Sequence, residues 1–251
     1  MKSPPRILSI AGSDSSGGAG IQADIKTITM LGGYAMTAIT AITAQNTLGL
    51  TAVEAMSPQM VGAQIDACVS DIGVDAVKIG MLGSPAVAAI VAERLEALPG
   101  VPVVFDPVMI ATSGAALADA ETIAGFERLM RLATVTTPNV PELEALGGHE
   151  GMAARGVAYL AKGGDAEGER VDDVLCLPGQ PPHVMSGSRI HTIHTHGTGC
   201  TLSSAIATYL GRGLALAEAV DRARLFVRSA LRAAPGFGAG HGPLGHAEAR
   251  G

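Results

Sequence analysis

The sequence predicts an α/β protein of three layers: helices, a mostly parallel central sheet, helices, with a small antiparallel edge or flap. Three observations carry this. Short apolar runs alternate with longer amphipathic ones along all 251 residues, the pattern that builds parallel sheets through crossover helices. Runs such as "RILSIA" and "VPVVF" are apolar nearly throughout, as strands covered on both faces are. Two extended runs late in the chain flank a Pro/Gly turn, which reads as an antiparallel pair.

Residues 6–11 form the first strand. Residues 19–31 form a helix entered through "GSDSSGG". Residues 34–44, rich in Thr, Ile and Ala, read as extended. Helix 58–71 starts with Pro at its first turn, where the missing N–H costs nothing. A short strand, 76–79, precedes helix 85–98. Strand 101–105 and helix 119–132 follow, then strand 134–136 and a short helix at 142–146. "GVAYLA" reads as the next strand. Residues 173–177 and 183–193 are the antiparallel pair, and helices 201–209 and 215–233 close the chain. The length suits one unit spanning residues 1–251.

Composition narrows the class. Hydrophobic residues make up 47% of the chain, enough for a large core, and the net charge is −6. No basic block or aromatic–basic interleaving points to nucleic acid. No apolar run reaches the roughly 18–20 residues that span a bilayer, and the N-terminus lacks a signal-peptide pattern. Three cysteines, Cys68, Cys176 and Cys200, are an odd number without paired spacing, which predicts a reducing, cytoplasmic setting.

Ligands of open parallel sheets bind beyond the carboxyl ends of the strands. There the chain places Gly12, Ser13 and Asp14; Lys78 before Gly80 and Met81; Asp106; Asn139 with Glu142 one turn later; Lys162; and "THGTGC". Carboxylates, an amide, two lysines and glycine turns thus converge on one edge, which suits phosphate. Gly197, Thr198 and Gly199 precede a helix, so unpaired N–H groups and the helix dipole would hold an anion. Cys200 at that N-terminus is expected to have its thiol pKa lowered and to serve as proton acceptor or nucleophile. A small buried cysteine at a tight turn is equally compatible with the spacing.

The motifs "AGSDSSGGAGIQADIKT", "KIGML", "DPVM", "TPNVPE", "KGGD" and "THGTGCTLSSAIA" stand in one order. The chain resembles the hydroxymethylpyrimidine/phosphomethylpyrimidine kinases of thiamine biosynthesis, in the ribokinase-like superfamily, from residue 6 to about 245. The resemblance implies ATP-dependent phosphorylation of 4-amino-5-hydroxymethyl-2-methylpyrimidine and then of its monophosphate. It implies that Gly197, Thr198 and Gly199 form the anion hole and that Cys200 takes the general-base position. Lys162, with Thr198, would meet the nucleotide phosphates, and Asp106, Asn139 and Glu142 would organise Mg²⁺, directly or through water. Gln45 would pair with the ring nitrogen and exocyclic amine. Asp24 would hold the hydroxyl or position nearby groups. Gly12 and Ala19 would bring backbone close, and Met81 and Val108 would cover the ring. A homodimer follows by the same resemblance, and whether a monovalent cation assists stays open.

Two departures touch the nucleotide side. The span from Asn139 to Lys162 is short, with "GGHEGMAARG" where a full crossover helix is usual, so one or two helical turns or a different path are expected. Asp165 stands where His is common, and His194 where Asn is common. His191, His194 and His196 cluster within six residues; on a strand, His194 and His196 would share a face opposite His191, without ligand spacing for zinc. The competing readings are a pyridoxine or pyridoxal kinase, a catalytically silent pyrimidine-binding protein, and a cysteine hydrolase built on Cys200.

Overall fold

The computed structural model describes residues 3–109 and 119–249. Residues 1–2, 110–118 and 250–251 of the expected single unit lie outside the described residues. Nine strands, β1 (Arg6–Asp14), β2 (Tyr34–Asn46), β3 (Gly49–Ala55), β4 (Ala76–Ile79), β5 (Val103–Phe105), β6 (Val135–Thr136), β7 (Tyr159–Ala161), β8 (Arg170–Cys176) and β9 (His183–Ser188), form one sheet in the order 3-2-1-4-5-6-7-8-9. The pairings from β2 through β7 are parallel; β3, β8 and β9 join antiparallel. The helices are α1 (Gly20–Met30), α2 (Pro58–Asp71), α3 (Pro85–Glu96), α4 (Ala120–Leu132), α5 (Val140–Ala145), α6 (Gly148–Arg155), α7 (Thr198–Gly211) and α8 (Leu216–Arg232).

Alternation along the strands divides the core. Leu8, Val77 and Phe105 pack against Val61, Val91 and Phe126 of α2, α3 and α4. Their neighbours Ile7, Ala76 and Val104 pack on the other face against Ile28, Ile206 and Phe226 of α1, α7 and α8. Successive strand residues point to opposite faces, so continuous apolar strands need both helical layers. Local chemistry starts the helices: Ser57 and Ser84 accept from the Met60 and Val87 amides and each precedes a Pro, while Asp119 caps α4.

Several features bear on the sequence expectation. The antiparallel part occupies both edges, because β3 extends the β2 side. Most of β3 is exposed, so no buried alternation marked it; ladder bonds to β2 hold it. α7 begins at Thr198 rather than 201. β9 ends at Ser188, and His191, His194 and His196 lie in an irregular segment. The strand-face arrangement expected for those histidines is therefore absent. The short crossover does contain a helix, α6, of eight residues, the reduced form of the two paths considered.

Candidate active site

The carboxyl ends of β1, β4, β5, β6 and β7 open into one cavity of about 980 Å³, lined by Gly12, Ala19, Gln45, Lys78, Asp106 and Cys200 among others. That volume takes a small planar substrate and a nucleotide together. The cavity lies where the rule for open α/β sheets places ligands.

Its anion site is the start of α7. Gly197 caps the helix at φ 87 with no side-chain cap, a left-handed conformation that favours glycine. A Cβ there would lie 1.9 Å from the Gly18 carbonyl oxygen, so glycine is needed twice over. The Thr198 amide donates to the Thr195 carbonyl at 3.2 Å, and the first intrahelical bond runs from Thr201 to Gly197 at 2.9 Å. The first-turn amides left for an anion are those of Gly199 and Cys200. Thr198, its amide engaged by Thr195, shapes this hole more than it donates to it. A Cβ on Gly199 would stand 3.4 Å from both Asp106 Oδ2 and Lys162 Nζ, so this pair borders the anion position.

Two ion pairs sit under the site. Lys162 Nζ donates to Asp106 Oδ1 at 2.8 Å and lies 3.8 Å from Glu142 Oε2. Burial alone would raise the Asp106 carboxyl, but Lys162 and Lys78 outweigh it and hold it below the ordinary range. Burial pushes Glu142 up to about 7, Lys162 opposing and Asp106 adding to the rise. Deeper still, Lys78 and Asp24 pair at 2.9 Å with neither side chain exposed. Ser9 and Ser204 also donate to Asp24, at 2.5 and 2.7 Å.

Cys200 reverses an expectation. A helix N-terminus favours a thiolate, yet burial, with Asp24 and Asp106 adding negative potential, pushes this thiol up to about 11; Lys78 and the Gly20 amide oppose the rise. The group is a protonated thiol at neutral pH, because desolvation and two carboxylates outweigh a half-charge of helix dipole.

Gly12, Ala19, Gln45, Met81 and Val108 all line the cavity. A Cβ on Gly12 would lie 2.5 Å from Met81 Cε, so glycine lets the Met81 side chain lie across β1. Gln45 Oε1 is 3.3 Å from the Thr43 hydroxyl. Asp24 does not line the cavity: fully buried behind Lys78, it anchors that lysine and cannot reach a substrate hydroxyl. Asn139 is turned to structure, its side-chain oxygen accepting from the Glu142 amide while Glu142 Oε2 accepts from the Asn139 amide in a capping box. Of the three residues expected to hold a cation, Asp106 and Glu142 carry the carboxylates suited to one, with Asp106 Oδ1 already accepting from Lys162 and Thr137 and Glu142 Oε2 from Asn139. Among the described residues no group of three or more His, Cys, Asp or Glu is disposed around a metal. The three histidines go separate ways: His191 to Glu169 at 3.1 Å, His196 to Asp14 at 2.8 Å, and His194 toward Gly242.

Lys78, Asp14 and His196 received no individual role from the sequence. A lysine inside "AVKI" was the signal for the first, since an unpaired charge is not buried between apolar strands. Nothing in the sequence marked Asp14 and His196 as partners 182 positions apart.

The fold, with its cavity at the strand ends, places the chain in the ribokinase-like class. The solved structure of Bacillus subtilis pyridoxal kinase in an ADP complex superposes with a TM-score of 0.88 and 33% identity, covering 98% of each chain. A family model for phosphomethylpyrimidine kinase matches residues 14–245, and the chain belongs to that family. It is 46% identical to the hydroxymethylpyrimidine/phosphomethylpyrimidine kinase of Rhizobium meliloti, over 95% of this chain and 96% of that one. It is 45% identical to the thiamine biosynthesis bifunctional protein ThiED of Geobacter sulfurreducens, over 96% of this chain, but spans only 52% of that protein.

Proposed function

We propose that residues 1–251 form one kinase unit that transfers the γ-phosphoryl group of ATP to the hydroxyl of 4-amino-5-hydroxymethyl-2-methylpyrimidine, and then a second to the monophosphate. The observation that carries this is the open Gly199 and Cys200 amide pair beside Asp106 and Lys162, within one cavity that also holds Gln45 and Met81. The aminopyrimidine lies against Gly12 and Ala19, its edge facing the Gln45 amide, which both donates and accepts. Met81 and Val108 cover its faces.

The hydroxyl oxygen bonds to the γ-phosphorus as the bond from that phosphorus to the ADP oxygen breaks. Negative charge on the transferred group meets the two open amides and the Lys162 ammonium. Asp106 Oδ2, which accepts from the Ser203 hydroxyl at 3.5 Å, and Glu142 are hard oxygen donors that fit a largely hydrated Mg²⁺. Such an ion, when bound, would neutralise part of the phosphate charge. A loose transition state leaves the hydroxyl proton in place until late, which suits a neutral Cys200 thiol. Positioning and the anion hole then supply most of the rate; the hydroxyl proton passes late to an oxygen of the transferred phosphoryl group and on to solvent, or to Cys200 Sγ in the minority of molecules that hold it as thiolate.

Three free cysteines among the described residues support a reducing, cytoplasmic setting. No helix of the described residues is long and apolar enough to cross a membrane. Exposed Ile42, Leu48 and Val53 on the β2–β3 ribbon support a second copy of the chain as partner.

A pyridoxal kinase is the second reading, favoured by the 0.88 superposition. Side-by-side turnover of the hydroxymethylpyrimidine and pyridoxal with Mg-ATP separates the two. The primary reading predicts the larger kcat/KM for the pyrimidine; faster turnover of pyridoxal overturns it.

A further inference from the structure

The loop after β1 and the segment before α7 meet at a buried pair. His196 Nε2 lies 2.8 Å from Asp14 Oδ2, with the side chains 5% and 3% exposed. On one side, the Asp14 carboxylate accepts from the Ser16 amide at 2.8 Å, the Ser16 hydroxyl at 2.8 Å, the Gly18 amide at 3.1 Å and the Ala19 amide at 2.8 Å. These bonds wrap "SSGGA" around one carboxylate and set the backbone of Ala19 and Gly20 against the cavity. On the other side, His196 directly precedes Gly197, the residue that caps α7 and aims the anion hole.

The two segments touch without intervening space. A Cβ on Gly18 would lie 2.4 Å from His196 Cδ2, and one on Gly197 would lie 1.9 Å from the Gly18 oxygen. Other buried pairs of α7 do not make this link. Thr201 meets His246 at 2.9 Å and ties the helix to the C-terminal segment, while Ser204 meets Asp24 at 2.7 Å beneath the cavity. The Asp14–His196 pair alone among these joins the wall that holds the acceptor to the turn that holds the phosphoryl group.

We propose that Asp14 and His196 are positioning residues that set the distance between the substrate hydroxyl, held by the β1 loop, and the transferring phosphoryl group, held by the first turn of α7. Neither touches the reacting atoms. A displacement of about 1 Å between two reacting groups costs on the order of 100-fold in rate, and a charge-assisted hydrogen bond between buried groups holds such a distance better than solvated loops would. Loosening the pair admits water as a rival acceptor. Its oxygen then bonds to the γ-phosphorus as the bond to the ADP oxygen breaks, giving ADP and inorganic phosphate, with the released proton passing to solvent.

The proposal rests on the kinase reading, and one experiment separates the two. Wild type, His196→Ala, His196→Gln, Asp14→Asn and the Asp14→Asn/His196→Ala double variant are assayed with Mg-ATP and the hydroxymethylpyrimidine. ADP and phosphorylated pyrimidine are both quantified. His196→Ala is expected to lower kcat about 10–100-fold, to leave the KM for ATP within about threefold, and to raise the ADP-to-product ratio well above that of wild type. His196→Gln, whose amide nitrogen can reach the same carboxylate oxygen, restores most of the coupling. The double variant loses no more than the worse single variant, as members of one contact do. If His196→Ala fails to fold, Asp14→Asn, which keeps the side-chain shape, carries the test by the same ratio. A wild-type ratio in every folded variant overturns the proposal, because a merely structural role lowers both products together. Absence of pyrimidine turnover in the wild type overturns the kinase reading, and the positioning role falls with it.

Discussion

Glu142 is the residue whose ionisation the site controls most visibly. Its carboxyl is pushed up to about 7 from the ordinary 4.5, so the folded chain holds that proton more tightly than the unfolded chain does. The stability it contributes is full below the unfolded value and is lost as pH rises through about 7. Glu142→Gln cannot ionise and escapes that loss. With a chelator present, thermal unfolding should show the variant gaining on wild type between pH 5 and pH 8, by on the order of 2 kcal/mol. A difference that does not change with pH would contradict the buried, charge-crowded placement. Cys200 follows the same physics: position at a helix start predicted a lowered pKa, but burial beside Asp24 and Asp106 decided it. Sequence spacing reports the helix start and carries no information on desolvation; of the two roles the resemblance implied for Asp24, burial leaves the positioning of a neighbour, Lys78. Gln45, Met81 and Val108, by contrast, do line the cavity.

At the level of elements, the start of α7 joins local backbone strain to function. Gly197→Ala would place a side chain at φ 87 and drive its Cβ into the Gly18 carbonyl at 1.9 Å. Gly213, just beyond the other end of α7, has nearly the same φ of 86, and a Cβ added there would meet nothing within 4 Å. Gly213→Ala should therefore cost only backbone strain, about 1 kcal/mol, and leave kcat unchanged. Gly197→Ala should cost more stability and lower kcat at least about 100-fold. Equal effects on Tm and activity at the two sites would contradict the close seam between the β1 loop and α7. Most elements were legible because their apolar periodicity and their start signals agreed, as with Pro58 in the first turn of α2. β3 was not, since an exposed ribbon has no buried face to write into the sequence. The end of β9 and the course of His191 to His196 were hidden for a related reason: partners as distant as Glu169 and Asp14 fix that segment.

The whole molecule brings five parallel strand ends to one cavity, and the order of the sheet explains why. β1, β4 and β5 lie side by side, with β5 at its middle, so Asp14, Lys78 and Asp106 converge although they are far apart in sequence. α7 packs across this centre and delivers Gly199 and Cys200 to the same place. Strand–helix alternation made that convergence predictable in outline; the Lys162–Asp106 and Asp14–His196 partnerships required the folded chain. The cavity is proposed to hold an acceptor pyrimidine and a phosphoryl donor in line, twice in succession. Incubation with Mg-ATP and 4-amino-5-hydroxymethyl-2-methylpyrimidine, followed by mass spectrometry of the products over time, tests it most directly. The expected result is a monophosphate that rises and then gives way to the diphosphate. Recovery of the unchanged alcohol, or of a monophosphate that never proceeds further, would contradict it.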